Sequence, residues 1–200
     1  MSAENPAMPG HGQRSDKSVP RSFYARDARL VAPELLNKIL LTHDGRGGRI
    51  VEVEAYCGAE DPAAHSYRGQ TPRNATMFGP AGHMYVYFTY GMHWCCNAVC
   101  GDVGDGVGVL IRALQPVTGL SSMREARPRA RSDRDLCNGP GKLTQALGID
   151  KSHDGADLVS GRHGVRIVSD SMPPPEFPLA TTRIGISKAK DAMWRWVTVD

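Results

Sequence analysis

Two carboxylates and a phenol alternate in Glu52-Val53-Glu54-Ala55-Tyr56, inside the run Arg49-Ile50-Val51-Glu52-Val53-Glu54-Ala55-Tyr56. Successive side chains of a strand point to opposite faces. Ile50, Glu52, Glu54 and Tyr56 then share one face, and Val51, Val53 and Ala55 share the other. The apolar face belongs in a core. The other belongs in a groove, where a carboxylate beside an aromatic can hold a flat ring and activate water next to it. Arg112 interrupts the apolar run 107–114, and a cation placed there needs a carboxylate partner. Glu54 and Glu52 both qualify, and the spacing does not choose between them.

The aromatics come next. Tyr56, Tyr85, Tyr87 and Tyr90 lie close to this strand in sequence, with His65 between, and half of the chain's six tyrosines fall between Tyr85 and Tyr90. Aromatics favour strands in any case. Flat faces of this kind are also what single-base recognition uses. Tyr90, beside Gly91, stands where a hairpin tip is expected, a poor place for a core residue and a good one for a wedge. Gly139-Pro-Gly141-Lys142 lacks the spacing and the Ser/Thr of a Walker loop. It can still aim a helix N-terminus at one phosphate, with Lys142 helping. The five cysteines, Cys57, Cys95, Cys96, Cys100 and Cys137, offer no second ligand pair beside Cys96 and Cys100, so buried free thiols and no metal site are expected.

These residues need elements to hold them. The pattern predicts a helix over Ala28 to Leu40 with Pro33 near its start, where a missing N–H is harmless. A hairpin through Asp44-Gly45 leads into the opening strand. A short helix is expected at 61–65, capped by Asp61 with Pro62 as first helical residue. The stretch 69–82 reads as a long functional loop. Met84 to Val99 reads as strand, tight turn at Tyr90-Gly91, strand. A strand over 107–114, a helix over 142–147 and short strands at 164–168 and 183–186 complete the series, with Pro173 to Pro175 as a rigid spacer.

Length and composition set the frame. At 200 residues the chain suits one domain. Residues 1–20 are polar, without periodicity, and are expected to be disordered; residues 21–200 form the expected domain. No apolar run approaches the roughly 18 to 20 residues of a membrane span, and no signal-peptide pattern opens the chain, so a cytoplasmic protein is expected. The net charge of +3 permits a nucleic-acid partner without requiring one. The arginine-rich run 124–134 reads first as a solvated loop.

The motifs then form one ordered series: Arg49-Ile-Val-Glu-Val-Glu54-Ala-Tyr56, Glu60-Asp61 with Ala63-Ala64-His65-Ser66, Thr71-Pro-Arg-Asn74, Met77-Phe78, Tyr85-Val-Tyr87, Tyr90-Gly-Met92, Asn97, Val109-Leu-Ile-Arg112-Ala-Leu, Asn138-Gly-Pro-Gly-Lys142-Leu and Arg183-Ile-Gly185. This series resembles the alkyladenine (3-methyladenine) DNA glycosylase family, the type that includes the mammalian enzyme, from about Phe23 to Trp196. The resemblance implies a single α+β domain: a curved, mostly antiparallel sheet with flanking helices and a projecting β-hairpin. It implies a monomeric base-excision enzyme, without a cofactor, that acts on double-stranded DNA carrying damaged purines near the nucleoid. Such an enzyme flips 3-methyladenine, 7-methylguanine, hypoxanthine or ethenoadenine out of the duplex and hydrolyses the N-glycosidic bond. An abasic site is left, with no lyase step. Glu54 is implied as the general base, with Arg112 helping to hold the water. Tyr56, His65 and Tyr87 would stack the base, the backbone around Ala63 and His65 would bond its edge, and Asn97 would exclude normal guanine. Tyr90 would fill the gap in the duplex with Met92 beside it. Thr71, Lys142, Arg183 and Gly185 would grip the DNA backbone. The competing reading is a damage-binding module without excision. Where the family often has Gly after the paired leucines, this chain has Asn37, for which only a local turn change is expected.

Overall fold

The computed structural model describes residues 17–199. The expected disorder of 1–20 falls mostly outside that range. Lys17–Ser18, however, already form a strand, β1, and Val19 is buried, so the structured part begins before residue 21. Next come α1 (Arg21–Tyr24), α2 (Ala28–Leu35), β2 (Ile39–Thr42), β3 (Gly47–Cys57), β4 (Met84–Thr89), β5 (His93–Cys100) and β6 (Val107–Thr118). Then follow α3 (Leu120–Ala126), α4 (Asp133–Leu136), α5 (Pro140–Leu147), β7 (Val165–Ser169), β8 (Leu179–Thr181) and β9 (Arg195–Val197). Among the described residues the strands make one open antiparallel sheet in the order β1-β7-β2-β3-β6-β5-β4, with β9 pairing the middle of β3 and β8 pairing β9. The fold is α+β, as expected.

One sheet face carries the core. Ile50, Val53 and Ala55 of β3, Val109 and Ile111 of β6, and Cys96 and Ala98 of β5 pack there against Val31 and Leu35 of α2, Met123 of α3, and Leu143 and Leu147 of α5. At roughly 25 cal/mol per Å² of apolar surface buried, this face dominates the stabilisation. All five cysteines are buried. The opposite face carries a smaller cluster, Met77, Tyr85 and Val99.

The alternation in β3 is broken. Ile50 pairs Leu114, Glu52 pairs Ala113 and Val53 pairs Ile111, so Val51 is left over on β3 and Arg112 on β6. The irregularity reverses the phase: Ile50 lies in the core with Val53 and Ala55, whereas Val51 is only half-buried. The expected placing of Ile50 on the carboxylate face is therefore wrong. A bulge turns a side chain without leaving a mark in composition.

Three other expectations are corrected. The first helix ends at Leu35, and Pro33 lies inside its second half. Asp27 caps its start by accepting from the Arg29 N–H. Residues 61–65 form turns, because the Asp61 carboxylate accepts the Ala63 and Cys57 N–H groups and folds the chain locally. Residues 183–186 are an irregular loop, held by the Arg183 bonds to Asp61 and by the Ile184 N–H bond to Glu54. The hairpin β2–β3, the hairpin β4–β5 and the helix α5 are present where the pattern puts them, with Pro140 in the first turn of α5.

Candidate active site

A single row across four strands builds the floor of the site. Tyr85 of β4 pairs Asn97 of β5, Asn97 pairs Leu110 of β6, and Leu110 pairs Glu54 of β3. Directly paired residues of antiparallel strands project to the same face. Tyr87, Cys95 and Tyr56 lie two positions along on their strands and share that face. Above them is a cavity of about 460 Å³, within the range of small-molecule sites. Its walls include Tyr56, Ala63, His65, Tyr87, Tyr90, Asn97 and Arg112, together with Tyr85, Cys95 and the segment Ile184 to Lys188.

Glu54 is fully buried and does not itself line the cavity. It lies one side chain behind the wall. Its Oε1 accepts the Ile184 N–H at 2.8 Å, and its Oε2 accepts the Tyr56 hydroxyl at 2.9 Å. Arg112 Nη1 is 3.2 Å from the same Oε2. Arg112 also donates from Nε to Glu52 Oε1 at 2.9 Å, and Arg195 donates to that oxygen at 2.6 Å. Arg112 therefore bridges both carboxylates. The bulge that displaces it from the ladder is what lets one guanidinium reach two residues of β3. Burial alone would lower the Arg112 pKa, but the two carboxylates outweigh it and hold the group above its ordinary range. Glu52, already shared by two arginines, is a structural anchor.

The aromatic walls are mutually packed. His65 meets Tyr87 edge-on with ring centroids 4.4 Å apart, and Tyr87 stacks on Tyr85 at 5.5 Å. Burial, and then the neighbouring Glu54, push the Tyr56 hydroxyl far up, so it stays a proton donor. Burial pushes the Tyr85 phenol up to about 12. Burial, with Arg73 adding to it, pushes His65 down, which favours the neutral ring. The Ala63 N–H is committed to Asp61, whereas the His65 N–H has no partner among the described residues. The Asn97 side chain donates to the Tyr85 carbonyl at 3.3 Å.

Tyr90 stands at the tip of the β4–β5 hairpin in a left-handed conformation, φ 50°, and is 79% exposed; Met92 is 69% exposed. Gly185, at φ 77°, packs under that tip: a Cβ on it would lie 3.8 Å from the Tyr90 hydroxyl. Lys142 in the first turns of α5 donates to Asn138, and Thr71 is folded onto Asn74. Neither lines the cavity, although Pro140, two residues before Lys142, does. Arg183 is placed differently from the expectation. Its side chain is 0% exposed, donates to Asp61 at 2.8 Å and to the Ala55 carbonyl at 3.0 Å, and lies 4.8 Å from the centre of the Tyr56 ring. It cannot grip a phosphate from there. It holds Asp61 and supports Tyr56 from outside the cavity.

Sequence reasoning missed the Ile184 N–H, because a backbone donor carries no side-chain signature. It also missed Arg195 and Lys188, for which only a positive charge in an otherwise unremarkable stretch could have served as a signal.

Comparison of the sequence with known proteins points to one class of enzyme, the DNA glycosylases. The sequence profile described as "Methylpurine-DNA glycosylase (MPG)" matches residues 22–200, and the chain belongs to that family. A protein of Burkholderia cenocepacia (strain HI2424), provisionally named 3-methyladenine DNA glycosylase, is 65% identical over 178 residues, covering 89% of this chain and 86% of its own length. Relatives under the same name from Rhodopseudomonas palustris (strain BisB18) and Carboxydothermus hydrogenoformans are 51% and 48% identical. The alignments cover 88% and 89% of this chain, and 84% and 93% of the respective relatives. Among the described residues, no helix is long and apolar enough to cross a membrane.

Proposed function

We propose that this DNA glycosylase excises damaged purines, 3-methyladenine, 7-methylguanine, hypoxanthine and ethenoadenine among them, from double-stranded DNA. It works as a monomer, on the nucleoid. The observation that carries the reading is Arg112 on the wall of an aromatic cavity, joined to Glu54 immediately behind it. Flipping a base costs a few kcal/mol, least when the base is damaged. Tyr90 offsets that cost by filling the hole, with Met92 beside it in the minor groove. The extruded base stacks between Tyr56 on one side and His65 with Tyr87 on the other. Methylated purines are cationic and favour such faces. The free His65 N–H bonds the base edge, and Asn97 crowds the amino group of normal guanine. Lys142, Thr71 and Gly185 contact the backbone.

In the chemical step a water oxygen bonds to C1′ as the bond from C1′ to the base nitrogen breaks. Glu54 takes the water proton, Arg112 orients the water, and the departing base keeps the electron pair. A neutral base such as hypoxanthine must gain a proton, supplied by solvent water, as it leaves. The product is an abasic site, without a lyase step.

The test is incubation with duplexes carrying each lesion, followed by alkali. Cleavage is expected on at least one of them, and a Glu54→Gln variant should lose about 10²- to 10⁴-fold in excision while still binding. Binding without cleavage by the unaltered protein would favour a damage sensor instead. A covalent adduct trapped by borohydride would remove the claim that no lyase step occurs.

A further inference from the structure

We infer that Lys188 is the group that grips a phosphate flanking the extruded nucleotide. This rests on the base-excision reading and extends it to the DNA backbone. Two side chains lining the cavity carry a full positive charge, Arg112 and Lys188. Arg112 is already neutralised by Glu54 and Glu52. Lys188 is exposed and has no ion-pair partner among the described residues. A nucleotide whose base enters the cavity brings its anionic backbone to the cavity rim, and of the two lining cations Lys188 is the one without a carboxylate partner among the described residues.

The loop that presents it is fixed from within. Arg183 is locked to Asp61, the Ile184 N–H is locked to Glu54, and Gly185 lies under Tyr90. Lys188 follows three residues later. An ammonium on a loop anchored to the catalytic carboxylate and to the wedge keeps a set relation to both. Arg183, the cation that the sequence pattern offered for this task, is turned inward. The same loop therefore divides two jobs, an internal arginine for positioning and an external lysine for the phosphate.

The experiment uses the full chain and a duplex carrying a tetrahydrofuran abasic analogue, which cannot be excised. Each phosphate near the analogue is replaced in turn by a neutral methylphosphonate. One linkage flanking the analogue should weaken binding of the unaltered protein roughly tenfold and leave Lys188→Ala unaffected. The salt dependence of Lys188→Ala binding should be shallower by about 0.9, the contribution of one phosphate. Lys188→Arg should restore both. Lys17→Ala, on the opposite edge of the sheet, should behave as the unaltered protein. Equal losses for both proteins at every linkage, or an unchanged salt slope, would overturn the inference. Loss of lesion excision by the unaltered protein would instead sink the catalytic reading, and the two failures are read separately.

Discussion

Deleting the Arg112 guanidinium would leave Glu54 buried with an uncompensated charge. Breaking a buried pair from one side costs about 3–5 kcal/mol, so Arg112→Ala should lower the urea midpoint sharply. Arg112→Lys, which keeps the charge but loses the fork, should fall between. His65 carries a pH prediction. Burial, with Arg73 adding to it, lowers its pKa in the folded chain. The unfolded chain then takes up the proton first, at about 6.5, so stability is intact above that value and is lost as pH falls below it. Urea unfolding at about pH 7.5 and about pH 5 should show that loss, and His65→Phe should reduce it. At this scale the sequence was informative where a residue type is costly in its surroundings. An arginine in an apolar strand announces a buried partner, and the answer proved to be both candidates. Arg183 gave no such sign, because it stands at the start of its expected strand, just after Thr181 and Thr182, and its partner Asp61 is 122 residues away.

The two hairpins and the helix α5 followed from periodicity and turn chemistry, as at Tyr90-Gly91 and Pro140. What periodicity cannot see is a bulge. Val51 looks like any other apolar residue of an alternating strand, yet its insertion moves Ile50 to the core face and frees Arg112 from the ladder. The expected helix at 61–65 failed for a similar reason. Asp61 has the right identity for a cap, but its carboxylate is also held by Arg183, and the local turn is set by that distant pair. Asn37 is a case where the element explains the residue. It lies just past the end of α2 at φ 67° and donates to the Pro173 carbonyl at 2.8 Å. Asparagine tolerates this region far better than a residue with a plain Cβ. Asn37→Ala should therefore cost about 1 kcal/mol, whereas Asn37→Gly should lose little beyond the one hydrogen bond. Thermal unfolding of the two variants separates these outcomes.

The whole molecule is an open sheet with its hydrophobic mass on one face and its chemistry on the other. The chemical face is closed by segments from distant parts of the chain, the loops around 61–78 and the loop 183–188. The Arg183–Asp61 pair joins them. Arg183→Ala should destabilise the whole protein by about 3–5 kcal/mol, since Asp61 would be left buried and unpaired. The slope of DNA binding against salt should stay close to that of the unaltered protein. A residue gripping a phosphate from the surface would show the reverse, a changed slope and an unchanged melting temperature.

The bond from the Ile184 N–H to Glu54 spans 130 residues of chain. At about 5–20 residues per second, a ribosome needs roughly 7 to 26 s to travel from one to the other. During that interval the strands bearing Tyr56, Tyr87 and Arg112 have been made, but the donor that fixes the Glu54 carboxylate has not. A nascent chain can thus assemble the aromatic half of its site well before the Glu54 carboxylate has its full set of partners. Chain order thereby delays completion of the site until Ile184 has been synthesised.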